Sequence, residues 1–172
     1  MVVRIVEHDP AWPGLYEELS LPLSKAFGEY ALDIQHVGST SVPRIASKPV
    51  IDIAVAIAKY PLPGDVIRAV EKLGYEHRSE FGIPHRHYFR KGGPGEQAVH
   101  VHANVLGSEA WLNQTTFRDY LRAHAERARQ YEALKRELAQ QYASDAEAYT
   151  ESKSAFILET LDEARNWRPL ES

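Results

Sequence analysis

The chain of 172 residues carries 20 Lys and Arg against 24 Asp and Glu, so its formal net charge is −4 and no overall attraction draws it to nucleic acid or to anionic membranes. It contains no cysteine, which excludes a disulfide framework, a thiolate nucleophile and a zinc–thiolate site. No basic-then-apolar leader opens the sequence, and no apolar run nears the roughly 20 residues needed to span a bilayer, so a soluble cytoplasmic protein with no membrane partner is expected.

The length fits one domain, read as residues 1–172, with a mixed α/β sheet part at 1–107 and a helical part at 108–172. Val2 to Val6 reads as β-rich. A helix is predicted from Asp9-Pro10, with the aspartate as N-cap and Leu15, Leu19, Leu23 and Phe27 on one side, and Pro22 is expected to interrupt or kink it. Leu32 to Val37 reads as a strand that runs straight into a turn of glycine and hydroxyl residues. A second helix is predicted from Gly64 to Leu73, stopped by Gly74. Three β segments follow at Tyr75 to Phe81, His87 to Lys91 and Gln97 to Leu106. The last two are joined through Gly92-Gly93-Pro94-Gly95 and are expected to lie antiparallel at one side of the sheet. Ser108 to Tyr142 and Asp145 to Asn166 carry helical patterns, with Ser144-Asp145-Ala146-Glu147 marking the start of the last helix. The charges of this region, among them Glu126, Arg127, Arg129, Lys135, Arg136 and Glu137, read as a solvated face.

The most informative stretch runs from Gln35 to Ile57. Gly38 lets backbone approach a ligand, Ser39, Thr40 and Ser41 supply hydroxyls, Lys48 supplies positive charge, and Asp52 is a carboxylate that suits a divalent cation. Together they have the layout of a phosphate-binding loop beside a metal-binding residue. Strand parity sharpens this. If Val50 to Ile57 is extended, Ile51, Ile53, Val55 and Ile57 face the core while Asp52, Ala54 and Ala56 share the other face, where the alanines leave room for a ligand. The same rule puts His100, His102 and Asn104 together, opposite Val99, Val101 and Ala103. With His36 near the end of its own strand, Asp52, His36, His100 and His102 are expected to share one cleft. A His-x-His pair with a carboxylate suits zinc, manganese or iron, and each of these histidines serves equally as a hydrogen-bonding group. His85 and His87 read as an exposed edge pair, and His8, His77 and His124 as surface residues. No Gly-x-Ser-x-Gly, Walker loop or dinucleotide fingerprint is present.

The order His36-Val-Gly-Ser-Thr-Ser-Val-Pro43, Ala46-Ser-Lys-Pro-Val-Ile-Asp-Ile53, His100-Val-His102, Phe117-Arg-Asp-Tyr-Leu-Arg-Ala-His124 and Tyr149-Thr-Glu-Ser-Lys-Ser-Ala-Phe156 closely resembles the GrpB family over nearly the whole chain. The resemblance implies an α+β, polymerase-beta-like nucleotidyltransferase fold, with a mixed β-sheet, helices packed on one side and a helical C-terminal region. Some members of the family are fused to dephospho-CoA kinases. In that superfamily a Gly-Ser turn holds the triphosphate, and acidic residues on two strands bind two magnesium ions that neutralise phosphate charge and activate the acceptor. Carried over, Gly38 and Ser39 match the turn and Asp52 matches the first carboxylate. Ala54 stands at the second carboxylate position, and His100 or His102 at the third. The resemblance implies transfer of a nucleoside monophosphate from NTP to a small acceptor, with Asp52 catalytic and magnesium as cofactor, or zinc or manganese if the histidines ligate. Two alternatives stand beside it: a non-catalytic nucleotide or CoA-related binding module, and a His/Asp metal enzyme of another reaction class. In each case the partner is a phosphate-containing small molecule.

Overall fold

The computed structural model describes residues 2–167. Five strands form one mixed sheet: β1 (Ala31–Val37), β2 (Val50–Ile57), β3 (Glu76–His77), β4 (His87–Lys91) and β5 (Ala98–Val105), in the spatial order β1-β2-β5-β4-β3. β2 and β5 run parallel, and every other neighbouring pair is antiparallel. The parallel pair needs a long crossover, which is supplied by α2 (Gly64–Glu71) and the β3–β4 edge. The predicted antiparallel hairpin is there, with His102 opposite Tyr88 and His100 opposite Arg90, but it lies within the sheet, β5 being the middle strand and β3 the edge.

Alternation along β2 sends Ile51, Ile53, Val55 and Ile57 to one face, all buried. There they meet Trp12, Leu23 and Phe27 of α1 (Trp12–Phe27), Val66 and Val70 of α2, and Phe89, Val99 and Val101 of the neighbouring strands. Each such side chain contributes about 1.5–3 kcal/mol on burial. The helix starts two residues later than the Asp9-Pro10 signal: the Asp9 carboxylate accepts from the Ala11 N–H at 2.8 Å, ahead of the first turn. Pro22 does not break it. The carbonyl that this proline leaves without an intrahelical donor belongs to Glu18, on the exposed side of the helix, where it is open to solvent.

Val2 to Val6 forms no strand. Val6 makes a single bridge to Ser47, and the Val3 N–H donates to the Ala143 carbonyl, so the segment ties together two connections instead of extending the sheet. The long helical region is split: α3 (Glu109–Ala123) and α4 (Ala125–Gln141) are separated at His124, whose ring stacks on Tyr120, and α5 (Ala146–Glu151) and α6 (Ser154–Trp167) follow. Asp145 caps α5 by accepting from the Ala148 N–H. None of the described helices is long and apolar enough to cross a membrane.

α1 and α2 cover the aliphatic face, as expected. The helical region adds cover on the second face: Trp111 of α3 sits on Ala54, Ala56 and Val37, all buried. Consequently the two alanines are roofed over and leave no space for a ligand. Asn104 is also covered, donating to Gln114 of α3 at 3.2 Å. Only the Asp52 end of this face stays open. Among the charged residues read as solvated, Lys135 is 1% exposed, and its ammonium donates to the Ala46 carbonyl at 2.7 Å and lies near the Ser47 hydroxyl at 3.3 Å.

Candidate functional site

The open end of the second face is a cleft of about 770 Å³. Its floor is Asp52 of β2 with His100 and His102 of β5 and Tyr88 of β4. Ser39, Thr40 and Lys48 form one wall, Phe81 to Ile83 and Arg86 a second, and Tyr149 to Ser154 a third. Three of the walls thus come from segments far apart in sequence, brought together by the sheet order.

Gly38 closes β1 with φ +72° and ψ −179°, a conformation essentially reserved for glycine. A side chain there would collide with Asp52, its Cβ lying 2.9 Å from the Asp52 Cβ and Cγ. The close approach therefore serves the carboxylate. Ser39–Ser41 forms a single 3₁₀ turn in which the Ser41 hydroxyl donates to the Gly38 carbonyl and the Ser41 carbonyl accepts from Arg122. Ser41 is thus spent on holding the turn and is absent from the cleft lining, while Ser39 and Thr40 reach it. α4 grips the next loop at Ala46, whose N–H donates to Glu132 and whose carbonyl accepts from Lys135, and this presents Lys48 to the cleft.

His36 departs from expectation. It pairs with Ile53 across the antiparallel β1–β2 ladder and so shares the aliphatic face, stacked on Tyr16 at 4.9 Å. Its Nε2 meets the Thr40 hydroxyl at 3.0 Å, and Thr40 in turn donates to the Val50 carbonyl. Burial pulls its pKa down to about 4, leaving a neutral ring that braces the turn from behind. His87 is another correction: it is 4% exposed and accepts from the Leu62 N–H at 2.9 Å while its other nitrogen meets His77 at 3.0 Å. It is an interior hydrogen-bonding residue, and His8, His77 and His124 are half-buried, not surface, residues.

The chemistry of the floor follows from one tautomer. Arg86, 6% exposed, directs a guanidinium nitrogen at His102 Nδ1 at 3.2 Å. A guanidinium only donates, so Nδ1 accepts and the ring proton sits on Nε2, which donates to Asp52 Oδ1 at 3.0 Å. His100 Nδ1 approaches the same oxygen at 3.6 Å. Burial alone would raise the Asp52 carboxyl, but the neighbouring His100 and the hydrogen-bonded His102 outweigh it and hold the group well below the usual carboxylate range. Burial lowers the His102 pKa, consistent with a neutral ring. Asp52 is an anion with one oxygen, Oδ1, held by a protein donor.

The walls are cationic. Burial lowers the Lys48 pKa; it lowers Lys153 to about 8, with Lys48 repelling and Asp52 attracting. Lys48 and Lys153 lie over the Tyr149 ring at 5.4 and 4.5 Å. Arg86 also donates to the Glu80 and Phe81 carbonyls, and it lies 4.9 Å from the centre of the Tyr88 ring. Arg86, Tyr88, Lys135, Tyr149 and Lys153 are among the cleft residues that the sequence reading missed. The signal was available in the strand, where Arg86 and Tyr88 alternate with the core-facing His87 and Phe89, while Tyr149 lies in α5 and Lys153 in the turn after it.

The donor set does not suit the two magnesium ions of a nucleotidyltransferase. The second carboxylate position is Ala54, under Trp111. Among the described residues no three His, Cys, Asp or Glu side chains converge as a metal site requires. Asp52, His100 and His102 meet one another instead, and His102 has both nitrogens engaged.

A mixed sheet with a Gly-Ser turn facing a carboxylate strand is the nucleotidyltransferase type of fold. The chain matches the Cid1 poly(U) polymerase, solved with Mg and 3′-dATP bound, at a TM-score of 0.56 and 15% identity, over 86% of this chain and 49% of that one. Residues 2–163 match the family model described as GrpB protein, and the chain belongs to that family. The crystal structure of conserved protein GrpB from Enterococcus faecalis matches at a TM-score of 0.88 with 34% identity, covering 96% of this chain and all of that one. The UPF0157 protein YqkA of Bacillus subtilis is 33% identical over 166 residues. That match takes in 96% of this chain but 48% of the Bacillus protein, so the chain spans about half of that relative's length.

Proposed function

We propose that the protein binds a phosphate-containing small molecule, a nucleotide in the first instance, in the cleft between Asp52 and Lys153. The observation that carries this is the convergence of Lys48, Arg86 and Lys153 with the Ser39 hydroxyl on one concave surface. Cations with a planar fork and hydroxyl donors are what phosphate oxygens require. The volume suits a nucleotide-sized ligand, and the exposed Phe81 and Ile83 supply apolar wall for a ring or sugar. The nucleotidyltransferase type of fold supports the same location, since the turn at Gly38 stands where that fold holds a triphosphate.

Of the readings open at the start, the binding module is favoured over nucleotidyl transfer by a specific observation: the position for a second carboxylate is Ala54, sealed beneath Trp111. Calorimetric titration of ATP, ADP and CoA into the protein tests the proposal. Saturable binding of at least one, weakened about tenfold or more in Lys153→Ala, is expected. Absence of heat with all three, or binding indifferent to Lys153, contradicts it.

A further inference from the structure

We infer that this cleft takes its polyphosphate ligand as the free anion, with Arg86, Lys48 and Lys153 occupying the role that divalent cations fill in nucleotidyltransferases. This rests on the reading of the cleft as a nucleotide site and concerns how that site neutralises charge.

Three features point the same way. First, one oxygen of Asp52 is committed. Its Oδ1 receives the Nε2–H of His102 and faces His100 Nδ1, and the remaining His102 nitrogen is held by Arg86. To ligate a divalent ion, His102 would have to give up Arg86 or release Asp52. Second, the other carboxylate of the lining, Glu151, is on an exposed residue of the rim, and Ala54 is sealed under Trp111. A divalent ion would meet one carboxylate on the floor, with the Arg86 guanidinium already bonded to one of that carboxylate's donors. Third, the fixed charges favour a strongly anionic guest. Four basic side chains, Lys48, Arg86, Lys135 and Lys153, line the cleft against Asp52 and the rim Glu151. Free ATP carries about two more negative charges than its magnesium complex, and Coulomb attraction in a partly desolvated cleft scales with that difference.

Arg86 is the residue that makes the substitution work. Its fork is fixed by the Glu80 and Phe81 carbonyls and by His102, so a permanent charge stands beside the Asp52–His102 pair with little freedom left to lose on binding. Chelation of ATP by magnesium removes the charge these groups would bind. Magnesium is therefore expected to compete for the ligand and not to assist the protein.

The experiment is calorimetric titration of ATP into the full chain at constant ionic strength, once with EDTA and once with excess magnesium, repeated with inorganic tripolyphosphate. Binding about tenfold tighter in EDTA is expected for both probes. In Lys153→Gln, which leaves Arg86 and its hydrogen-bond partners in place, that preference should shrink. Tighter binding with magnesium, or equal affinity in the two conditions, overturns the inference while leaving the nucleotide reading intact. No binding of either probe in either condition overturns that reading, and the inference with it.

Discussion

Replacing Gly38 by alanine tests whether the turn is built around Asp52. Alanine at φ +72° and ψ −179° enters a backbone region that costs about 1–3 kcal/mol for a residue with a side chain. The new Cβ would also stand 2.9 Å from the Asp52 Cβ and Cγ, too close for real atoms, and Asp52 lies on a central strand that does not yield. Relief requires the carboxylate to rotate away from His102, giving up a charge-assisted hydrogen bond worth about 1.5–3 kcal/mol. The sum is about 2.5–6 kcal/mol, large for one methyl group. Urea denaturation followed by circular dichroism measures it. Gly14→Ala is the control: Gly14 lies in α1 with nothing within 4 Å of an added Cβ, and stabilisation of about 0.5–1 kcal/mol is expected there. A Gly38→Ala protein within 1 kcal/mol or so of the wild type would refute the close-packing argument.

Ala54→Asp restores the acidic pattern of a nucleotidyltransferase, yet it buries a carboxylate beneath Trp111, and a loss of about 3–5 kcal/mol in the same urea assay is expected, with no magnesium-dependent gain in thermal stability. Lys135 should make folding stability pH-dependent. Its pKa falls from 10.5 to about 7, chiefly through burial, so between those values the unfolded chain holds a proton that the folded chain does not. Stability should therefore rise as pH increases from about 7 toward 10, and the slope should flatten in Lys135→Met; an unchanged slope contradicts the assignment. Lys153 should govern ligand affinity in the opposite direction. It loses its charge as pH rises through about 8, so ATP affinity should fall between pH 7 and 9, and this dependence should weaken in Lys153→Gln.

Much of the fold was legible because alternation along β2 and β5 is a property of the chain itself: the core side of Ile51, Ile53 and Val55 and the opposite side of Asp52, His100 and His102 follow from period two. What depends on register was not legible. His36 belongs to a strand whose partner residue is Ile53, so it stands on the aliphatic side, and no pattern within residues 31–37 reveals that partner. The cover over Ala54 comes from Trp111, and the burial of Lys135 from the docking of α4 on Ala46, both long-range packing events that local charge and hydropathy do not encode. The pairing of His85 with His87 directed attention to the wrong face of β4, whereas the intervening Arg86 and the following Tyr88 point into the cleft. The motif from Tyr149 to Phe156 carried the family resemblance before it had a role, and its Tyr149 and Lys153 line the third wall.

The most direct test of the account is a crystal structure grown with ATP. Phosphate oxygens within hydrogen-bond reach of Lys48, Lys153 and Arg86, beside the Ser39–Thr40 turn, are the predicted result. Phosphates bound elsewhere on the molecule, or turned away from all three cations, would contradict it.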